Sequence, residues 1–529
     1  MSTLISWVKV TRFQPMLDIG FLYTFCYVRQ YNILLFFHLT LLFFHATINP
    51  ETKQLQLPCR RVGKTSAFEP IPLGRRRSGI RVLFYCQIIK KHKNTLRRNN
   101  MTTTTRNIKH DFIKYASANI LGMIGFSLYI LADTFFIANA TGSTGLAALN
   151  IALPYYNVFN GLGMMIGTGG ATRFALNRSK SIFTQCLFLT LLLSIPVFVL
   201  GVIFTEPLAL FMGANEETLE MTKVYLRTLS TFSPMFMLNN LFMAFIRNDG
   251  SPGLSMAGML TSSFSNVIMD YLLMYPCNLG LFGAALATGI APIASMSIMS
   301  IHFIKRKHTF HFIKERPDPT QWKTVFSLGL FAFVTELASG IAILLYNYLV
   351  LDLAGNIGVA AYGVVANIAL VAIYIFTGIS QGMQPVASNC IGHGQYDDAK
   401  KVRRYGWFTA IGLSIVFYMI IFFFTDPIVA AFNSENNSEL ADIARQGLLL
   451  YFIGLFFAGI NVISIAYQSA VGNGIRAFVL SLLRGVLLLA PVAFLMAKCF
   501  GMTGIWLSLA ITEILVIFIV FITEHRPCT

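Results

Sequence analysis

Runs of roughly 20 apolar residues recur along this chain, each long enough to cross a hydrocarbon core about 30 Å thick as a helix. Lipid offers no partner to a backbone N–H or C=O, so such runs must satisfy their hydrogen bonds internally. Composition agrees: 55% of the 529 residues are hydrophobic and 12% charged, and the mean hydropathy is +0.64. A soluble domain carries about a quarter charged residues. The chain is an all-α polytopic membrane protein, and it meets the lipid bilayer directly.

The net charge of +17 is unevenly placed. Residues 1–100 hold 16 Lys and Arg against Asp18, Glu51 and Glu69, which leaves the other 429 residues near +4. That basicity is local, so no nucleic-acid partner is expected. The stretch at residues 31–48 is apolar but short and interrupted by His38 and His45, with no small-residue cleavage site to mark a signal peptide. Residues 1–100 are expected to be a basic extension outside the working machine, from a start upstream of Met101, with residues 50–105 poorly ordered. An extra membrane or interfacial helix at 31–48 is the rival. The eight cysteines lack metal or redox spacing and read as small hydrophobes.

From Met101 onward twelve spans are expected, near 113–138, 146–171, 182–204, 222–246, 253–275, 280–303, 324–350, 357–389, 405–425, 443–470, 477–497 and 502–522. Alternate loops carry the cations: Arg106, Lys109 and Lys114; Arg173, Arg178 and Lys180; Arg247; Lys305 to Lys323; Lys400 to Arg404; and Arg476. The intervening loops carry Glu206, Glu216, Glu217, Glu220, Asp352, Asp426, Glu435, Glu439 and Asp442. This alternation predicts both termini in the cytoplasm.

The halves repeat. Asn150-Ile-Ala-Leu recurs at Asn367, Thr205-Glu-Pro-Leu as Thr425-Asp-Pro-Ile, and Gly280-Leu-Phe-Gly as Gly501-Met-Thr-Gly, at offsets of 217, 220 and 221. Six helices per repeat give two parallel halves, a plan shared by several secondary transporters. The expected domains are residues 101–304, a cytoplasmic connector at 305–319 extending to 323, and residues 324–529. No phosphate-cradling loop ends in Lys-Ser/Thr, no Gly-x-Ser-x-Gly occurs, and His308 with His311 falls in a solvated loop. The glycines of "GLGMMIGTGG" (161–170) serve helix packing. No enzyme and no cofactor is expected.

Carboxylates at membrane depth are few: Asp133, Asp270, Glu336 and Glu513. Each would cost roughly 2.5–3.5 kcal/mol facing lipid at mid-membrane, so a cavity or a partner is expected. Tyr129 with Asp133, and Asn266 with Asp270, are four residues apart and share a helical face. A carboxylate at that depth either exchanges a proton or stays ionised beside a hard cation such as sodium. Aligning the halves on their Gly-x-x-Gly pairs sets Asp270 opposite Pro491, Asn266 opposite Leu487 and Thr288 opposite Leu509. The polar groups were therefore not kept in duplicate. A dedicated ion site explains this, and hydrogen bonds that merely join helices are the alternative.

The stretches "ADTFFIANATGSTGLAALNIALPYYNVFNGLGMMIGTGGAT", "RNDGSP", "NVIMD" and "QPVASNCIGHGQYDDAKK" resemble the multidrug and toxic compound extrusion (MATE) family over residues 106–522, and its DinF-like branch in particular. The resemblance implies an ion-coupling site of Asp133, Asn266, Asp270, Tyr225 and Thr288 in the first lobe, with Glu336 as an acidic position of the second. Sodium, if it is the ion, falls at Asp133, Asn266 and Asp270. The tenth-helix Asp of some relatives has no equivalent here, Asn461 being nearest. The implied function is a secondary antiporter in the plasma (inner) membrane, exporting organic, mainly cationic, drugs as a monomer against proton or sodium entry. Tyr129, Met164, Met235 and Asn239 are expected at the substrate, with Met165, Met237 and Phe236 as further candidates for an adaptable pocket. A flippase for a lipid-linked or polysaccharide substrate is the alternative, and it would need a cationic cavity.

Overall fold

The computed structural model describes residues 107–524, apart from 178, 180, 306, 307 and 434–436. The expectations for residues 1–100, including the helix at 31–48, fall outside the described residues. Every regular element among the described residues is helical: α1 (Ile108–Asn177), α2 (Ile182–Val202), α3 (Thr205–Phe211), α4 (Leu219–Thr231), α5 (Ser233–Asn248), α6 (Pro252–Met274), α7 (Gly280–Met299), α8 (Ile301–Ile304), α9 (Pro319–Gly392), α10 (Tyr396–Phe432), α11 (Ser438–Tyr451), α12 (Leu455–Ala470), α13 (Gly474–Leu482) and α14 (Leu489–Glu524).

Three of these are folded double. Helix α9 has 74 residues, about 110 Å if straight, yet the rings of Tyr346 and Tyr362 stack at 5.4 Å across Gly355. The chain reverses at Gly355 (φ 59°, ψ −157°), as it does at Gly142 in α1 (φ 68°, ψ −160°) and Gly501 in α14 (φ 57°, ψ −138°). Such backbone angles are open essentially to glycine alone. Gly280 (φ 52°) makes the same turn between α6 and α7. At each turn a second glycine stands three residues on, where a Cβ would run into the preceding helix: Thr141 lies 1.8 Å from the Cβ position of Gly145 and the Met496 carbonyl 2.0 Å from that of Gly504. The repeat thus has two Gly-x-x-Gly hairpins per half, 142/355 as well as the 280/501 pair legible in the sequence.

With these reversals the described residues form twelve passes in two parallel six-helix lobes, α1–α8 and α9–α14. Seven helical stretches are apolar enough to span lipid, or eight counting α4 with α5, which bend by 46° at Phe232. The span expected at 222–246 is therefore bent just before Pro234, whereas that at 443–470 runs on through a 3-10 turn over Phe452–Gly454. The second arm of α1 and helix α6 fall outside those stretches. They carry Tyr156, Asn157, Asn160, Asn266 and Asp270, and their polar faces turn inward.

The lobes meet along the half of the bundle opposite the four hairpins. There α1 touches α9 backbone against backbone: a Cβ on Gly329 would sit 1.9 Å from the Met165 carbonyl, and one on Gly169 2.1 Å from the Val325 carbonyl. Gly382 and Gly378 approach Ala116 and Ile120 to 2.6 and 2.9 Å in the same sense. This is small-residue packing of the kind that joins helices without a hydrophobic driving force.

The connector lies on the first lobe instead of hanging free. Phe310, 1% exposed, enters a cage of Phe174, Phe183, Phe245 and Phe303. The buried Gln185 amide binds the Arg316 carbonyl, Asp318 N and Trp322 Nε1 at 2.8, 2.9 and 3.1 Å. His302 and Asp249 pair at 2.9 Å, and Asp249 also accepts from Thr309 N. His311 is solvent-exposed as expected, whereas His308 is half-buried. Asp318 then caps α9 by accepting from Thr320 N, with Pro319 at the first helical position. Hydrogen bonds from Gln321 and then Thr320 hold its carboxyl below the usual range.

Gly329→Ala has no room at the seam. It is expected to lower the melting temperature in detergent and to raise the reactivity of a cysteine introduced at Ala116, and equal reactivity in both proteins would contradict the seam.

Candidate functional site

Helix α6 brings Asn266 and Asp270, both 0% exposed, to one inward face. The first arm of α1 supplies Asp133 (8% exposed) opposite them, α7 supplies Thr288 and α4 supplies Tyr225. Asn266 Nδ2 donates to Thr288 Oγ1 at 3.1 Å. The Asp133 and Asp270 carboxyls are neighbours, and the Tyr225 hydroxyl lies beside Thr288. Tyr225 is 2% exposed, well inside the lobe despite its sequence position near a helix end.

The polar inventory of this cluster is one-sided. Asp133 Oδ1, both Asp270 oxygens and Asn266 Oδ1 are buried, and none accepts a hydrogen bond from a protein donor. Buried acceptors are nearly always satisfied. Four such oxygens around two carboxylates suit a proton or a hard monovalent cation, which prefers oxygen ligands. Among the described residues no group of three or more His, Cys, Asp and Glu side chains is placed to hold a metal ion, and the acceptors of this cluster are oxygens, unlike the nitrogen and sulfur ligands that zinc favours.

Through Asn266 and Thr288 the cluster borders the nearer of two adjoining chambers, which share Phe126, Tyr156, Asn160, Asn240 and Met243. Tyr129, Asn239, Asn266 and Thr288 line the nearer one, together with Phe236 and Pro292. Glu336, from α9 of the second lobe, lines the farther one with Met164, Asn157, Tyr374 and Gln381. Glu336 therefore stands apart from the other five candidates, beside Asn160 and across the chambers from them. Tyr156 bridges the two groups, its hydroxyl beside that of Tyr129.

Of the expected substrate residues, Tyr129, Met164 and Asn239 line the chambers, and so does Phe236. Met235 does not: it sits one residue before Phe236, on a face of α5 turned away from both linings. Met165 and Met237 are core residues, 3% and 0% exposed, with backbone atoms set against Gly329 and Gly163.

Two cations, Arg247 buried and Arg484 partly buried, also depart from the sequence reading. Arg247, counted there as a loop charge, is 5% exposed in the last turn of α5, where Nη1 donates to Asn119 Oδ1 at 2.9 Å and Gln381 Oε1 at 2.7 Å. It lines the farther chamber. Arg484 lies inside the eleventh pass, where Nε donates to both Glu513 oxygens at 2.8 and 3.0 Å. Glu513 thus has a partner and lines neither chamber. Tyr156 and Asn160 were also missed, although they stand four residues apart and share a face with Met164 in an otherwise apolar span.

A family model for MatE matches residues 119–272 and again 332–495, together more than half of the chain. The two matches begin 213 residues apart, the spacing of Gly142 and Gly355. The multidrug export protein MepA of Staphylococcus aureus is 28% identical over 411 residues, covering 74% of this chain and 88% of that protein. MepA of Staphylococcus saprophyticus is 27% identical over 406 residues with the same coverage. Among solved structures, an outward-facing multidrug resistance MATE family transporter superposes with a TM-score of 0.73 at 20% identity, over 79% of this chain and 95% of that one. A MOP superfamily transporter from Pyrococcus furiosus gives the same values. At that identity these likenesses concern the fold.

Thr288→Val would strip Asn266 Nδ2 of its acceptor while keeping the side chain's volume. Leaving a buried amide donor unsatisfied costs about 1–3 kcal/mol, so a lowered melting temperature in detergent is expected. An unchanged one would remove Thr288 from the cluster.

Proposed function

The chain belongs to the MatE family, and from that premise we propose that it is an ion-coupled antiporter exporting organic, mainly cationic, amphiphilic drugs. Proton or sodium entry drives the exchange. One observation carries this reading: two neighbouring buried carboxylates and an amide oxygen, with acceptor oxygens that no protein donor reaches, beside a chamber that Asn266 and Thr288 line. Like charges so close cannot both remain ionised without a counter-charge.

Asp133, Asn266, Asp270, Tyr225 and Thr288 hold the coupling ion, with the two carboxylates supplying its charge. Arrival of a proton or a sodium ion cancels one negative charge and alters the contacts between α1 and α6. That shifts the balance between the two ways the lobes can rock, because an ion moves such an equilibrium only by binding one arrangement more tightly. An inward potential contributes about 2.3 kcal/mol per charge per 100 mV. The drug occupies the chambers beside Tyr129, Tyr156, Met164, Asn239 and Glu336, where flat rings and a flexible thioether accommodate varied shapes and a carboxylate favours a cation. The protein works as a monomer in the plasma (inner) membrane, with the connector and both termini in the cytoplasm.

A flippase for phosphate-bearing lipids would need a cationic chamber. The single cation of these linings, Arg247, is held by Asn119 and Gln381 and shares its chamber with Glu336, which favours the antiporter.

The test is efflux of an ethidium-like dye from vesicles under separately imposed proton and sodium gradients. One gradient is expected to drive export, and Asp270→Asn to reduce the driven component at least about tenfold, the equivalent of 1.4 kcal/mol. An Asp270→Asn protein as fast as the native one would exclude the ion site, and export under neither gradient would exclude antiport.

A further inference from the structure

The second lobe repeats the scaffold of the first, yet it fills the corresponding space differently. Counting back from the hairpin glycines, the position of Asp133 is taken by Tyr346, nine residues before Gly355. Its hydroxyl is bonded to Ser508 at 2.8 Å, and its ring stacks on Tyr362, which stacks in turn on Trp506. Aromatic rings close the space that the ion cluster occupies in the first lobe.

Besides Glu336, which lines the farther chamber, the second lobe buries a carboxylate elsewhere, on α14. Glu513 is 1% exposed and its oxygens are claimed from two helices. Arg484 Nε takes both at 2.8 and 3.0 Å, and Asn461 Nδ2 of α12 donates to Oε2 at 2.6 Å and to the Glu513 carbonyl at 2.8 Å. The other titratable groups facing Glu513 are the phenols of Tyr346 and Tyr451. Arg484 lies ten residues into the eleventh pass, about 15 Å and so near mid-membrane. It stands on a π-helical turn, Leu483–Leu487. One extra residue per turn is an uncommon distortion that tends to mark functional positions, and here it falls on the residue that carries the guanidinium. Asn461 Oδ1, buried beside the pair, has no donor.

We propose that Arg484 is a tethered cation: it permanently fills a carboxylate site built from Glu513 and Asn461 in the second lobe, so that ion coupling runs through the first lobe alone. This rests on the antiport reading only for its second half. The guanidinium stands against the carboxylate oxygens, where a monovalent metal ion would otherwise bind, with the donor-free Asn461 Oδ1 as a further oxygen of the same residue cluster. A covalently attached cation cannot be exchanged, so the site neutralises charge and carries none across the membrane. Removing the guanidinium converts it into an exchangeable site for sodium or lithium.

The experiment measures melting temperature in detergent, in sodium, lithium or choline chloride at equal ionic strength, on a background of Asp133→Asn with Asp270→Asn that silences the first-lobe carboxylates. With Arg484 in place the three salts are expected to give one melting temperature. Arg484→Ala is expected to melt a few degrees higher in sodium or lithium than in choline, since a ligand that binds only the folded state stabilises it. Adding Glu513→Gln should abolish that difference. Identical melting of the Arg484→Ala protein in all three salts overturns the proposal. If that protein does not fold, the neutral pair Arg484→Met with Glu513→Gln, in the otherwise native chain, decides instead. It is expected to keep the native dependence of dye export on proton and sodium gradients, and a folded neutral pair that has lost it overturns the proposal. Export by the native chain under neither gradient would remove the antiport reading and leave the melting comparison to decide the tethered cation.

Discussion

Everything in this molecule is arranged around a seam where two backbones touch. In lipid, helices gain little from hydrophobic association, so their cohesion comes from close packing. Gly169 and Gly329 let α1 and α9 approach until their carbonyls and amides are in contact. The seam lies on one half of the bundle only, and the chambers lined by Tyr156, Asn160 and Glu336 lie where it ends. A side chain at either glycine would part the lobes where they are joined and disturb the floor of those chambers.

Gene duplication gave the two lobes one frame, and burial of charge then set them on different courses. In the first lobe two carboxylates and an amide keep acceptor oxygens free of protein donors, which is expensive unless something positive visits. In the second lobe the same problem is met with an arginine, an asparagine and a plug of aromatic rings. Both are answers to low dielectric, one with acceptor oxygens left open and the other with a guanidinium set against the carboxylate.

Much of this was legible in the sequence. Helix number, the repeat and the shared face of Asn266 and Asp270 follow from apolar length, loop charge and a spacing of four, all of which are local properties. The pairing of Asn266 with Thr288 is not local, and it came from the family resemblance. What failed to show was of two kinds. Arg247 was misplaced because a cation near a helix end reads as loop charge, Arg484 was missed within an apolar run, and only the folded chain reveals Gln381 and Glu513 as their partners. Met235 was grouped with its neighbours by residue type, whereas the 46° bend at Phe232 decides which face of α5 meets the chambers. The sequence offers only Pro234, at the start of α5, as a hint of that bend.

The grip of Gln185 on the connector has a mechanical side. Because one amide holds the Arg316 carbonyl, Asp318 N and Trp322 Nε1 together, and Phe188 stacks on Trp322, the first turn of α9 belongs in effect to the first lobe. From Trp322 the same helix runs on unbroken through Gly329, at the seam, to Glu336 two turns further along. A carboxylate of the farther chamber is thus carried by a second-lobe helix whose start is anchored on the first lobe.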